Sequence, residues 1–441
     1  MIQTGVGAAI SRLSMSIKHR IVGRAISRLD SSEKLSAPEI EPINPETDEQ
    51  VLARAEAIIG RAIDLGRKGR LKAVPEAIAV GATENCNLEC IMCPGHAGMK
   101  GPMISVDEAE MLFASMAIEG AHFGSPKILD MTSGEPTLNP ELGTIYGRFK
   151  ELFPDAKISM ISNGTIPVRG RIKEAFEHAD RVGLSMDGAT QETYERIRQG
   201  SVWKNVVRNV KEVAEIKRLG ENCETLQIMM VVMDQNIHEL PEMVRFAHSV
   251  GIPQVFAQAA EVRGAPFNIK GLNVSLDMSK ENLAPIIREA KDEAERLGVD
   301  LSLTSHLEDA LRDDVPQPVS PVIPNRAKEA HKLSVAIKTC NVPWVHAPRI
   351  SKNRQGIYPT VVCCHMPQVH GAGNLTHHPE FIDKPINDIF NSDFYWGIRA
   401  GLLDGSLAED ACRGCQYHQM TQWTAAQLRE LEQASDAAES A

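Results

Sequence analysis

Cys86-Asn87-Leu88-Glu89-Cys90-Ile91-Met92-Cys93 sets three thiols in a C-x3-C-x2-C spacing directly behind an apolar run, Ala77 to Thr83, that reads as a strand. Three thiolates on one short loop can grip one face of a [4Fe-4S] cube and leave its fourth iron without a protein ligand. A structural zinc site would need a fourth ligand to close its tetrahedron, and His96 could supply one. Spacing alone leaves both metals open.

Outward from this loop, short β-rich runs alternate with helical stretches. The expected strands are Ala77 to Thr83, Lys127 to Ser133, Lys157 to Asn163, Arg181 to Asp187, Thr225 to Met233 and Gln254 to Gln258. Helices are expected near Val106 to Met116, Pro140 to Leu152, Arg171 to His178, Val202 to Leu219 and Leu240 to Val250, then Lys280 to Leu297 before an isolated run, Asp300 to Thr304. Six β-then-α units with β-branched, apolar strands imply an α/β fold with a parallel sheet, either open or a partial barrel. In both cases ligands bind at the carboxyl ends of the strands.

The chain has 441 residues, 43% hydrophobic and 24% charged, which predicts two or three globular domains. A formal charge of −11 argues against a broad nucleic-acid surface. The longest apolar runs, such as Ile228 to Met233, are far too short for a transmembrane segment. Nine cysteines without a convincing secretory signal point to metal or redox chemistry in a reducing cytoplasm rather than to disulfides. Met1 to Leu29 reads as a basic amphipathic helix, able to touch a membrane surface or to dock on the main body. A linker at Ser36 to Asp48 and a helix from about Glu49 to Arg67 follow.

With the cysteine loop stand Ser133-Gly134-Glu135 after the second strand, Ser162-Asn163-Gly164 after the third and Ser185-Met186-Asp187-Gly188 after the fourth. The whole resembles a radical SAM enzyme, with its C-x3-C-x-Φ-C loop and partial (β/α)6 barrel. The resemblance implies a [4Fe-4S] cluster on Cys86, Cys90 and Cys93, with S-adenosyl-L-methionine bound by Ser133, Gly134, Glu135, Asn163, Ser185, Asp187 and Met92. A carboxylate and carbonyls at Glu135 suit an ammonium group. Met92 stands where the family often has an aromatic residue, and a thioether can still pack on adenine. Arg198 could hold a carboxylate or lie on a solvated helix face, as could Arg196.

Pro316, Pro318, Pro321 and Pro324 mark a linker, beyond which Cys340, Cys363-Cys364 and Cys412-Arg413-Gly414-Cys415 cluster. This region resembles a SPASM or twitch domain. That resemblance implies an auxiliary [4Fe-4S] cluster on Cys340, Cys363, Cys412 and Cys415, with Cys364 as the alternative to Cys363 and a four-cysteine zinc ribbon as the rival. The expected division is a helical extension at 1–76, the radical SAM barrel at 77–310, a linker at 311–330, a small cysteine-rich domain at 331–425 and an acidic helical tail at 426–441 that frays. Cys223, just before the fifth strand, is expected at its amino end, away from the site.

The reaction expected is hydrogen abstraction by a 5′-deoxyadenosyl radical from a small polar metabolite, sugar or aminocyclitol-like. It would end in net oxidation, with the auxiliary cluster as electron acceptor and an external reductant such as flavodoxin or ferredoxin. Peptide modification and radical epimerisation are the alternatives.

Overall fold

The computed structural model describes residues 48–93, 100–117, 123–220, 222–260, 275–311, 340–347, 349–352, 356–361, 379–404, 406 and 423–441. The amphipathic segment at Met1 to Leu29, the proline-rich linker and Cys363, Cys364, Cys412 and Cys415 lie outside the described residues.

Helix α1 (Asp48–Arg67) precedes strand β1 (Ala77–Ala79), after which come α2 (Val106–Ala114), β2 (Ile128–Asp130), α3 (Leu142–Leu152), β3 (Lys157–Ser162), α4 (Arg171–His178) and β4 (Arg181–Ser185). Two helices, α5 (Gln191–Ile197) and α6 (Trp203–Leu219), separate β4 from β5 (Thr225–Val232); α7 (Leu240–Val250), β6 (Gln254–Ala259), α8 (Lys280–Leu297), β7 (Asp300–Leu303) and α9 (Ser305–Asp309) follow. All seven strands pair in parallel in sequential order, β1 to β7. The run expected to stand alone at Asp300 to Thr304 is thus a seventh strand, in register with β6 from Gln254↔Asp300 to Ala257↔Leu303.

Sequential order without reversal is the connectivity of a barrel rather than of a doubly wound sheet, because right-handed crossovers then all pass on one face. Among the described residues β7 does not pair with β1, so the ring is open. Burial along β5 follows from this. Leu226, Ile228, Met230 and Val232 are buried in one core with Val206, Val210 and Val213 of α6 and Val244 and Ala247 of α7. Gln227, Met229 and Val231 between them are half-buried on the opposite face. Met230 and Met233 are fully buried, whereas Met229 lies on that other face, its sulfur against Gly183 of β4.

The outer edge of β1 is covered by the C-terminal part of the chain. Strand β8 (Arg349–Lys352) follows the short helix α10 (Val342–Val345) and pairs antiparallel with β9 (Ile357–Val361). Just before and within β8, His346 bridges Ala77 and Ile350 bridges Val80, both in parallel, with Ala347 N–H donating to Ala77 O at 2.8 Å and Gly81 N–H to Ile350 O at 2.7 Å.

A second core joins α1 to α11 (Ile386–Phe390), α12 (Asp393–Leu403) and α13 (Ala425–Ser440). Trp344 is its centre, edge-on to Trp396 at 5.7 Å and to Trp423 at 5.4 Å. The segment expected to fray is instead docked: Leu431, Ala434 and Ala438 of α13 are buried with Ala55, Ile59 and Ala62 of α1. Its acids pair with α1, Arg61 reaching Asp436 at 2.7 Å and Glu439 at 2.6 Å. No helix among the described residues is long and apolar enough to cross a membrane.

Candidate functional site

The cysteine loop leaves the carboxyl end of β1 and is tied to the segment that ends α5. Glu89 N–H donates to Gln199 O at 2.9 Å and Ile91 N–H to Ile197 O at 3.0 Å, while a turn closes Cys93 N–H on Cys90 O at 3.1 Å. Ile91 is buried with Ile197 and Met233, and the half-buried Met92 packs against the same cluster beside Ala260. Met233 and Ala260 follow β5 and β6, so Met92 sits at the mouth formed by the strand ends.

Cys86 and Cys93 are half-buried and Cys90 is 8% exposed. Burial pushes the Cys90 thiol up to about 11, against the pull of the Arg198 guanidinium, whose Nη1 lies 3.9 Å from the sulfur. Burial also raises Cys86, opposed by the Leu88 backbone N–H. Ligation to a metal would displace the protons of Cys86 and Cys90. The donor set fits a [4Fe-4S] cluster: three sulfurs from one loop, with the Arg198 cation beside Cys90 and the Leu88 backbone N–H beside Cys86, both suited to thiolates. Among the described residues no three Cys, His, Asp or Glu side chains are gathered around a point that could hold a single metal ion.

Behind β2, Gly134 adopts φ +60°, and a Cβ there would fall 2.4 Å from Asn85 O and 2.7 Å from Thr83 O. Only glycine lets this turn lie against the start of the cysteine loop. Ser133 is buried, its hydroxyl donating at 3.0 Å to Glu84, whose same oxygen accepts Ser351 of β8 at 2.8 Å. Glu135 is enclosed by its own turn and by the end of β3. It is 1% exposed and accepts the Thr137 N–H at 3.1 Å, the Thr137 hydroxyl, the Ser162 hydroxyl at 2.8 Å and the Asn163 N–H at 2.6 Å. Its carboxylate clamps the ends of β2 and β3 together, and burial raises its pKa against those donors.

Asn163 carries the clamp onward. Its amide nitrogen donates to Asn87 Oδ1 at 3.0 Å, inside the cysteine loop, and Asn87 in turn donates to the Thr165 hydroxyl at 2.8 Å. Ser185 is half-buried at the end of β4, in register with Met229. Asp187 is wholly buried, accepting Val231 N–H at 2.7 Å and pairing with Arg198 Nε at 2.7 Å. Arg198 is accordingly neither on a solvated helix face nor free for a ligand on all its donors. The structure thus brings Met92, Ser133, Gly134, Glu135, Asn163, Ser185 and Asp187 to the strand ends around the cysteine loop. Glu84 and Asn87 acquire a place there that the sequence did not suggest, and Arg198, which could hold a carboxylate, holds that of Asp187.

Elsewhere, Cys340 is half-buried with the Val342 N–H 3.5 Å from its sulfur, and it packs against the second core. Cys223 is exposed immediately before β5, at the amino end of the sheet. Arg196 is exposed and donates to Gln235 O at 3.2 Å.

Residues 80–247 match the family model described as the Radical SAM superfamily. Among curated proteins, the chain is similar to a probable GTP 3′,8-cyclase of Methanococcus maripaludis strain C5, 27% identical over 172 residues, which are 38% of this chain and 54% of that protein. A probable GTP 3′,8-cyclase of Methanocaldococcus jannaschii is 24% identical over 226 residues, 50% of this chain and 68% of that protein. The chain thus spans about half the length of the first of these relatives. Of solved structures, Streptococcus suis SuiB bound to precursor peptide SuiA superposes with a TM-score of 0.50 at 15% identity, over 87% of this chain and 79% of that one. SuiB bound to S-adenosylmethionine gives the same TM-score and identity, over 90% and 80%. At such identity the likeness concerns the fold.

Proposed function

Because residues 80–247 match the Radical SAM superfamily model, we propose that this chain is an enzyme that holds a [4Fe-4S] cluster on Cys86, Cys90 and Cys93 and S-adenosyl-L-methionine at the neighbouring strand ends, and that it abstracts hydrogen from a small polar metabolite. Cluster and S-adenosyl-L-methionine together supply a 5′-deoxyadenosyl radical. The observation that carries the reading is the convergence of the three-thiol loop with the Ser133–Glu135, Asn163 and Ser185–Asp187 segments. The chain's own residues do the rest: Glu135 and Asn163 hold the rim rigid, Gly134 brings backbone close to the loop, and Met92 offers an apolar surface beside Met233 and Ala260.

A second, auxiliary cluster on Cys340, Cys363 or Cys364, Cys412 and Cys415, in a SPASM or twitch-like domain, belongs to the same proposal. A cube ligated by four thiolates has no open iron, which suits it to accept an electron, and net oxidation of the substrate follows. The external reductant would be a flavodoxin or ferredoxin, in a cytoplasmic setting. The names of the curated relatives favour a second reading, with a purine nucleotide as substrate.

Anaerobically reconstituted protein should bind about eight irons, four per cube, and produce 5′-deoxyadenosine. Replacing Cys86, Cys90 and Cys93 with Ala should abolish that product; zinc without iron would remove the mechanism. Mass spectrometry with candidate sugars, aminocyclitols, peptides and GTP then separates the readings. A product two hydrogens lighter supports oxidation, whereas unchanged composition with one solvent-derived deuterium on carbon shows epimerisation.

A further inference from the structure

Only one of the three thiols in the loop, Cys90, is buried, and a buried ion pair stands against it. Arg198 Nη1 is 3.9 Å from the Cys90 sulfur, and Arg198 Nε is 2.7 Å from Asp187 Oδ2. The side chains of the pair are 8% and 0% exposed. The other Asp187 oxygen accepts Val231 N–H at 2.7 Å, so the carboxylate cannot swing away.

The return of the chain from Asp187 to Arg198 is itself built. A Cβ on Gly188 would fall 2.6 Å from Tyr194 N, so only glycine allows α5 to pack so closely on the exit of β4. The Thr190 hydroxyl accepts Thr193 N–H at 3.3 Å to cap α5, and Glu239 fixes Ala189 N–H at 2.7 Å and the Thr190 hydroxyl at 2.8 Å. Arg198 N–H ends the helix on Tyr194 O at 2.8 Å. A flexible cation is thereby locked at one sulfur.

We propose that Arg198, held by Asp187, is a positioning residue that donates an N–H to the Cys90 sulfur and so sets the reduction potential of the cluster on Cys86, Cys90 and Cys93; the proposal rests on the radical SAM reading of that loop. Hydrogen bonds to cluster sulfurs and nearby positive charge favour the more negative, reduced cluster, and a negative charge opposes it. Arg198 Nη1 lies within hydrogen-bonding reach of the sulfur, whereas the Asp187 carboxylate is held on Arg198 Nε and the Val231 N–H, so Arg198 is the nearer of the two charges. The two residues should therefore move the potential in opposite directions, a pattern that general loosening of the fold would not produce.

The test is a redox titration of the reconstituted holoenzyme, followed by electron paramagnetic resonance, with iron content measured on each sample. Arg198→Gln should shift the reduction equilibrium about tenfold toward the oxidised cluster, 59 mV for a one-electron couple. Asp187→Asn should shift it toward the reduced cluster. The double variant Asp187→Asn/Arg198→Gln strands no buried charge, so it keeps the test alive if a single variant misfolds; it should fall toward the oxidised side by less than Arg198→Gln alone. Arg198→Lys should recover part of the shift. Full iron content with unchanged potentials in Arg198→Gln and the double variant, or shifts of one sign in all variants, would overturn the proposal. Absence of iron from the unaltered protein would instead overturn the radical SAM reading, and the inference with it.

Discussion

Asp180 shows how a single side chain can organise the end of the sheet opposite the site. It is 1% exposed, accepts Ile158 N–H at 2.8 Å, and pairs with Lys150 at 2.8 Å and Lys157 at 3.2 Å, while its own carbonyl receives Glu224 and Thr225 N–H at the start of β5. Burial alone would raise its pKa, but the bonds from Lys150, Ile158 and Lys157 outweigh it and leave the value below the usual 3.8. A depressed carboxylate contributes stability that is present in full above the unfolded value and is lost as pH falls through the folded one. Asp180→Asn should therefore lower stability by about 2 kcal/mol at pH 7 and flatten the acid limb below pH 3.8, read as urea midpoints across pH. At this scale the three thiols and Gly134 were legible, because their geometry is set by neighbours in the chain. The enclosure of Glu135 and the approach of Arg198 to Cys90 were not, because each depends on segments 27 and 108 residues apart.

Among the elements, α12 carries the most unusual side chain. Arg399 is fully buried, with its guanidinium 4.2 Å from the Trp396 ring, 4.5 Å from Phe390, 5.0 Å from Trp344 and 5.4 Å from Tyr395. Nε donates to Pro343 O at 3.0 Å, and no hydrogen-bond partner for Nη1 or Nη2 stands among the described residues. Arg399→Ala should open a cavity among these rings and cost about 3 to 5 kcal/mol in chemical denaturation, by analogy with large aromatic truncations. Arg399→Met should recover more than Arg399→Lys, since a hydrated ammonium lacks the flat surface that stacks on aromatic faces. The helices that bracket this core were legible to different degrees. Helix α1 lies where a helix from about Glu49 to Arg67 was expected, whereas α13 was expected only as an acidic helical tail that frays. The small residues Ala434 and Ala438 carried little hydrophobic signal, and only the fold brings Arg54 and Arg61 to Glu432, Asp436 and Glu439. The seven-residue α5 was missed for a related reason, being too short for a helical period to show.

For the whole molecule, parallel strands and a site at their carboxyl ends were legible in the alternation of β-rich and helical runs. Sequential strand order came only through the resemblance to a partial (β/α)6 barrel, since spacing does not say which neighbour a strand chooses. Not legible at all was the junction of His346 and Ile350 with β1, which pairs segments about 270 residues apart. That junction has a consequence for the chain as it is made. Until the segment emerges, the free edge of β1 is an unpaired template for association. At roughly 5 to 20 residues per second the exposure lasts about 13 to 53 seconds. Nascent chains arrested before His346 should sediment with aggregates or holdase chaperones, while those released after Lys352 should stay in the supernatant; equal solubility of the two would show that the uncovered edge is harmless. On that expectation, the pace at which the chain from β1 to Lys352 is made, and not sequence alone, would set how much folded protein is obtained.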